Sequence, residues 1–529
     1  MNRWNQAPLI RDQVVLFSPT LDAAISEDHF PARRDWWMKS CGRWTGPPGN
    51  PGAPGLAGQP PIHPRIVAGA ILYGLTLSIR SSRKLEDACR NRMDFLWLVE
   101  GREIDHSTFA NFRTRFDKEL KLAFRQIILL ARGMGVACLN QVCSDGTRVL
   151  ANNARYNTAR QGKLKELEAQ IDQQIAELLK SAEEEDRKDQ QLFGTQATPG
   201  KLPVNLRTLQ QRKARLQEAK VQLDQMQEKR GSRKDVSAKG PQIPLADPDA
   251  RVLPNKQGGY APNYTPVATT ETKGGFIVDA EVVVGNNEEA ALIPSIDRIE
   301  EQFEEKPKQA LADSGFHNGT NLSGLEDRGV EALIPARQEF ENNPAIRSDA
   351  TVAVEEAKRL ELPINPQSKL LDKAAFIYQE ASDTYYCPMG KSLSFSGTRP
   401  YQRDNSKGIY RVYQCSSCQG CPLAAQCLRK DQRERRIYRD EYDAVRERAA
   451  ARLQTPAGQE AYRRRMAVAE SPFGIIKNVM KLRQFLLRGI DKVRTEWRWA
   501  VTAFNLAKLV RFMKVLRAIS ARKGGVALE

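Results

Sequence analysis

From Val267 to Pro335 the chain runs through a pattern that restricts it to one kind of architecture. Val267 to Thr272 and Phe276 to Val284 are rich in β-formers and are joined by Lys273-Gly274-Gly275, which predicts a hairpin. Glu288 to Phe303 repeats its apolar residues at helical period, Gln309 to Ala312 is a short apolar strand, Asn318 to Gly329 suits a helix, and Val330 to Pro335 is another strand. Hairpin, helix, strand, helix, strand implies an α/β domain with a mixed sheet flanked by helices. The strand at 309–312 ends on Asp313, with Gly315 two residues on. An acid where a buried strand opens into loops is a catalytic position in open α/β sheets. The same place also suits a helix N-cap.

A second strand-borne acid lies upstream. Cys138 to Val149 reads as a short strand carrying Asp145, followed by Gly146-Thr147. Asp-Gly is equally an ordinary hairpin turn. Before it, residues 63–136 have helical period, with Ile66, Ala70, Tyr73 and Leu77 on one face and Phe109, Phe112 and Phe116 on another. Arg80, Arg83, Lys84, Arg90 and Arg92 lie between, so this segment is either a compact DNA-binding domain or a helical scaffold with a basic, solvated face. Residues 1–62, with Trp36 and Trp37 and a Gly/Pro-dense run from Gly46 to Pro61, read as an N-terminal segment and linker.

Two insertions separate the pieces of the sheet domain. Residues 160–234 turn to Glu, Gln, Lys and Leu. Leu164, Leu167, Ile171, Ile175 and Leu178 form one stripe, and Leu209, Leu216 and Leu223 form a heptad seam, which predicts an antiparallel helical hairpin. It is a spacer, a dimer contact or a DNA clamp. Residues 341–440 carry Cys387, Cys415, Cys418, Cys421 and Cys427. Two-residue gaps let neighbouring thiolates reach one tetrahedral zinc ion, although five candidates compete for four places. Reduced or redox-active thiols are the alternative. A charged helix is expected around Arg433 to Arg452.

Tyr462 to Lys477 then sets a single acid, Glu470, between an arginine triplet, Arg463 to Arg465, and Lys477. Seven helical residues turn through roughly 700°, so Glu470 and Lys477 share nearly one face. Pro472 is expected to start or kink a helix. Lys481, Arg483, Arg488, Lys492, Arg494, Arg498, Lys508, Arg511, Lys514 and Arg517 continue the basic run and are expected along one face of the C-terminal helix, opposite a face that includes Trp497, Val501 and Phe504.

The chain has 529 residues, 81 Lys and Arg against 64 Asp and Glu, and a net charge of +17, which favours a polyanionic partner. The longest apolar run, Ile66 to Ile79, is too short for a membrane span and is broken by Gly69, Gly74, Thr76 and Ser78. Nine cysteines without a secretion signal point to a reducing compartment. A soluble, cytoplasmic, nucleoid-associated protein is the expectation.

Asp145-Gly146-Thr147 after a strand, Ala312-Asp313-Ser314-Gly315-Phe316, and Tyr462, Arg465, Glu470 and Lys477 in that order resemble the DDE transposases of bacterial insertion sequences, in the subgroup with a Tyr-Arg-Glu-Lys signature. Asp247-Pro248-Asp249-Ala250-Arg251 and the cysteine cluster look like those of relatives with long insertions. The resemblance spans residues 60 to 515. It implies a ribonuclease-H-like fold in which Asp145, Asp313 and Glu470 bind two Mg²⁺ or Mn²⁺ ions. It further implies that Tyr462, Arg464, Arg465, Lys477, Lys481 and Arg483 contact DNA. The implied partners are double-stranded DNA, at element ends and at the target, and further copies of the chain, as a dimer or larger assembly. The signature usually has three residues between its Arg and Glu, whereas Met466 to Ala469 make four here. One extra helical residue turns the partner by roughly 100°, so which of Arg463, Arg464 and Arg465 takes the arginine's place stays open.

The resulting partition is an N-terminal segment (1–62), a helical domain (63–136), a first catalytic part (137–159), the hairpin insertion (160–234), a second catalytic part (235–340), the Cys-rich insertion (341–440) and a C-terminal helical part with a basic tail (441–529). The function implied is cleavage and transfer of DNA strands. The alternatives are a stand-alone nuclease of the same fold and an inactive DNA-binding or regulatory relative.

Overall fold

The structure is a computed structural model that describes residues 62–193, 204–230, 240–255, 258–336, 349–403 and 406–522. Expectations for residues 1–61, Trp36 and Trp37 included, and for the break near 194–203 lie outside the described residues. Pro64, whose missing N–H costs nothing in a first turn, opens α1 (Pro64–Thr76). It is followed by α2 (Ser82–Asn91), α3 (Met93–Leu98), α4 (His106–Arg115) and α5 (Asp117–Gly133). Phe95, Phe109, Leu120 and Ile128 are fully buried between these helices.

The main sheet begins with β1 (Gln141–Gly146) and β2 (Val149–Leu150). After β3 (Thr158–Ala159) come two long helices, α6 (Gln161–Phe193) and α7 (Val204–Arg230). They bury Leu164, Ile171, Leu216, Ala219 and Leu223 against each other and against Ile243 of β4 (Ile243–Pro244). The chain then returns through β5 (Arg251–Pro254), β6 (Tyr260–Glu271) and β7 (Ile277–Val283). A 3₁₀ turn (Glu288–Ala291) leads into α8 (Leu292–Phe303), followed by β8 (Gln309–Leu311), α9 (Gly319–Asp327) and β9 (Glu331–Leu333). In this seven-stranded sheet β7 pairs antiparallel with β6 and β6 antiparallel with β1, whereas β1, β8 and β9 run parallel. The mixed sheet with flanking helices expected from the sequence is present. Parallel neighbours need crossovers, and α9 provides one between β8 and β9.

A second sheet has five antiparallel strands in sequence order: β10 (Ile377–Gln379), β11 (Thr384–Tyr386), β12 (Ser392–Arg403), β13 (Ser406–Gln414) and β14 (Arg436–Arg439). A short helix, α10 (Ala424–Cys427), precedes β14. Here the structure corrects the charged helix expected at Arg433 to Arg452. Arg436-Ile437-Tyr438-Arg439 alternates as a strand should, buries Ile437 and pairs with β13. The helix, α11 (Asp443–Gln454), begins only after it.

The chain ends in α12 (Pro456–Arg463), α13 (Arg465–Gly474), a π turn (Ile475–Val479) and α14 (Ile490–Arg522). Pro472 neither starts nor ends α13 but lies inside it, and the wider π turn follows three residues later. Proline removes the donor that Val468 O would receive, and loosened helical bonding next to it accommodates the loss.

The long helix α14 is the centre of the fold. Trp497 and Trp499 sit on opposite sides of it. The Trp497 indole donates to Val267 O of β6 (3.3 Å), and that of Trp499 donates to Arg113 O of α4 (3.1 Å). Asn505 donates to Ile277 O and accepts from Ile277 N, extending the β7 ladder with a side chain. Packing on two sides draws part of the expected basic face of α14 inward, while Lys492, Arg511 and Lys514 stay exposed, so that expectation holds only in part. Arg498 is ion-paired with Asp117, Arg494 with Glu281 (2.6 Å), and Lys508 donates to Gly275 O (2.9 Å). Burial holds the Lys508 ammonium below its usual range. Arg80, expected among the surface basic residues, likewise turns inward to Glu496 (2.9 Å) and Lys481 O (2.8 Å). No helix among the described residues is long and apolar enough to cross a membrane.

Candidate active site

β1 and β8 pair in parallel with Val142 opposite Ala310 and Cys143 opposite Leu311. Carried two residues on, that register sets Asp145 level with Asp313, where both strands open into turns. Asp145 Oδ1 accepts from Gly146 N (2.9 Å). Asp313 caps the next turn (Ser314–Phe316), its Oδ1 accepting from Gly315 N (2.8 Å). Its place at the strand end and its capping role thus coexist. Beneath them Cys143 is fully buried and its thiol is pushed up to about 12 by burial, so it packs rather than reacts. Ser144, Thr269 and Ser295 form a buried hydroxyl chain with links of 2.8 and 2.7 Å.

Arg465 reaches both aspartates. Its guanidinium lies 3.9 Å from Asp145 Oδ1 and 4.0 Å from Asp313 Oδ2, and its side chain is 12% exposed. Tyr462, three residues earlier, lies with its ring centroid 6.0 Å from the guanidinium carbon. Burial raises the Tyr462 hydroxyl above its ordinary pKa. Arg463 and Arg464 point away, both paired with Glu460 at exposed positions. Of the three arginines, Arg465 is the one that lies beside the two aspartates. The chain breaks at Arg464 between α12 and α13, so a continuous helical count across the signature does not apply.

Glu470 is exposed on α13 and has no hydrogen bond or ion pair among the described residues. Ala469 beside it packs on Cys143, Leu311 and Leu333, which lays α13 against the strand ends that carry the aspartates. The ligand oxygens of Asp145, Asp313 and Glu470 do not all lie within 4.8 Å of one another, as ligand atoms of Glu86, Asp105 and His106 do.

Lys477, in the π turn, donates to Thr147 Oγ1 and to Arg148 O (2.7 Å), tying α13 to the loop that leaves Asp145. The chain beyond it joins the sheet edge, with Leu150 N donating to Arg483 O and Phe485 N to Leu150 O. Lys481 and Arg483 are exposed, and the Arg483 guanidinium donates to Asn478 (2.7 Å).

A residue that sequence reading passed over joins the aspartates. Glu288 lies so close to Gly146 that a Cβ on the glycine would meet its Oε2 at 2.0 Å. Burial, then the Asp313 and Asp145 carboxylates, push Glu288 up to about 7. Nothing in Asn286-Asn287-Glu288-Glu289 marks it, because only the return of β7 beside β6 brings it to the strand ends.

The five cysteines of the second sheet, Cys387, Cys415, Cys418, Cys421 and Cys427, line one small cavity. No three of their sulfurs lie within 4.8 Å of one another, and none of the five is in a disulfide. A hydrogen bond with Cys387, together with burial, raises the Cys415 thiol, and burial pushes Cys427 up to about 11.

The Asp247–Arg251 block is a structural joint. Asp247 Oδ1 accepts from the Tyr264 hydroxyl (2.7 Å) and Gly489 N (3.0 Å), and Asp249 Oδ2 accepts from Ile490 N (2.9 Å) at the start of α14. Arg251 donates to the carbonyls of Pro248 and Ala250 and to Gln222 of α7.

Residues 386–510 match the family model described as Transposase DDE domain, and residues 50–115 match the Transposase domain (DUF772). The first match takes in the five cysteines, Arg465, Glu470 and Lys477; neither reaches Asp145 or Asp313. No curated protein matches the chain. Both matches are to transposase domains, and they support a DDE transposase.

Proposed function

We propose that this transposase cleaves DNA at the ends of a mobile element and transfers the freed strands to target DNA. The site is of the ribonuclease-H-like kind, and Asp145, Asp313 and Glu470 hold two Mg²⁺ or Mn²⁺ ions. The observation that carries the reading is the pair Asp145 and Asp313, level on adjacent parallel strands and both approached by Arg465 from the helix that bears Glu470. The donors fit hard divalent cations, which prefer carboxylate oxygen, keep several waters and accept phosphate oxygens. A guanidinium drawn to two aspartates marks the same demand for positive charge. When bound, such ions supply an activated oxygen nucleophile and stabilise the leaving oxygen.

The chain's own residues do the rest. Arg465 offsets the repulsion between Asp145 and Asp313, and Tyr462 packs beside its guanidinium. Lys477 holds the loop after Asp145 in place. Arg464, Lys481 and Arg483, exposed around this face, meet backbone phosphates, which position a duplex without reading its sequence. The net charge of +17 suits DNA as partner. Two or more copies would bring two element ends together. The five thiols around one cavity supply the soft ligands of a structural zinc site.

The test is cleavage of end-bearing duplex with Mg²⁺, followed by detection of joined strand-transfer products. Full activity in a Glu470→Ala or Asp313→Ala protein that melts like the wild type would sink the assignment. Cleavage without joined products would mark a nuclease instead.

A further inference from the structure

Glu288 begins the 3₁₀ turn (Glu288–Ala291) that follows β7, and this turn packs against the one that follows Asp313. An acid in the first turn of a helix ordinarily faces that helix's free N–H groups. Glu288 does not. Its carboxylate accepts no hydrogen bond among the described residues and is directed at Gly146, next to Asp145. Only a residue without a Cβ at 146 permits that approach, because any other side chain would begin 2.0 Å from Oε2.

Glu288 is thereby brought to the strand ends that carry Asp145 and Asp313, with the ligand oxygens of the three not all within 4.8 Å of one another. Like charges in a half-buried place repel one another, and a partly buried acid without a donor bears its desolvation cost uncompensated. Arg465 stays at 3.9 and 4.0 Å from the two aspartates. Arg148, whose charge favours an ionised Glu288, spends its guanidinium on Pro254 O and Asn286 Oδ1.

We infer that Glu288 is a fourth carboxylate ligand of the site, sharing with Asp145 and Asp313 one of the divalent ions that the transposase reading requires. The Tyr-Arg-Glu-Lys signature has one glutamate, on the C-terminal part of the chain, whereas Glu288 begins the turn that follows β7. The inference rests on the proposed function and adds an oxygen donor to it.

The test is Mn²⁺ binding by the full-length protein, read by electron paramagnetic resonance without DNA, beside melting temperature in chelator. In Glu288→Gln we expect at least about tenfold weaker Mn²⁺ binding and a chelated melting temperature equal to or above that of the wild type. Glu288→Asp, which keeps the charge on a shorter arm, should recover part of the affinity. Wild-type Mn²⁺ affinity in Glu288→Gln, with binding lost in Asp145→Asn, would overturn this inference and leave the three-acid reading standing. Wild-type affinity in Asp145→Asn as well would bring down both. If Glu288→Gln melts well below the wild type in chelator, and Glu288→Asp then also binds Mn²⁺ like the wild type, the residue is structural and the inference fails.

Discussion

The Arg465 guanidinium stands 3.9 Å from Asp145 and 4.0 Å from Asp313, while Arg464, one residue earlier, is exposed and paired with Glu460. Arg464 is the cap residue between the two helices, whereas Arg465 opens the helix that packs on the strand ends. The first prediction separates the two arginines. Arg465→Ala should cut strand cleavage by about 10²-fold or more, the scale seen when one preorganised positive group is removed from an active site. Arg464→Ala and Arg463→Ala should stay within about 0.5 kcal/mol of wild-type stability, as exposed pairs do. Cleavage rates and melting curves on the three variants decide it; equal losses in Arg464→Ala and Arg465→Ala would refute the distinction.

Much of this site could be read from the sequence because its parts are local. Asp145 and Asp313 each end a short run of β-formers, and strand ends are where loops gather. What could not be read depends on how separate elements meet. Arg465 needed the helix break, which a running count of 3.6 residues per turn cannot foresee. Glu288 needed the return of β7 beside β6. Some basic residues of α14 misled in the opposite direction. Arg498 and Lys508 look like a DNA-facing stripe by charge alone, yet Asp117 and Gly275 O claim them because the helix is buried between two layers.

Lys477 gives a second prediction. A lysine in a basic stretch suggests a phosphate contact, but here Nζ donates to Thr147 Oγ1 and Arg148 O. Hydrogen bonds from a charged donor contribute about 1.5–3 kcal/mol each. Lys477→Met should therefore lower stability by about 1–3 kcal/mol in chemical denaturation, and Thr147→Val should reproduce part of that loss. If Lys477→Met instead denatures like the wild type and only flattens the salt dependence of DNA binding, the lysine belongs to the phosphate contacts.

Asp247 allows a prediction in pH. It is buried, its Oδ2 has no hydrogen-bond partner among the described residues, and burial raises its pKa above the ordinary range. A raised pKa means the folded state keeps the proton to higher pH than the unfolded chain, whose aspartates titrate near about 3.9. The stabilising effect of that proton is present in acid and is lost as pH rises through the folded-state pKa. Asp247→Asn removes the charge and keeps an oxygen for the Tyr264 hydroxyl and Gly489 N–H. Relative to the wild type it should gain stability as pH rises from about 4 to 8. Asp247→Ala leaves both donors unpaired and should cost about 1–3 kcal/mol per group at any pH. Parallel wild-type and Asp247→Asn stability profiles across that range would contradict this account.

The cysteine sheet yields the last prediction, on metal content. Cys387 opens a tight turn whose Gly390 has φ +70°, and a Cβ there would meet Thr351 O at 2.2 Å. That turn sets Cys387 against Cys415, from the far end of the sheet's long hairpin, with Cys418, Cys421 and Cys427 around the same cavity. The core beneath them is a small cluster separate from the main one, the circumstance in which a bound metal contributes most to folding. Purified protein should carry about one zinc per chain. A chelator should remove it and lower the melting temperature, and zinc should restore both. Four of the five single Cys→Ser variants should lose the metal, the fifth marking the spare thiol. Gly390→Ala, with every sulfur intact, should lose zinc as well, because the residue can neither hold that backbone nor clear the Thr351 carbonyl. A metal-free protein whose melting is indifferent to both chelator and zinc would leave the five thiols as packing residues of the sheet.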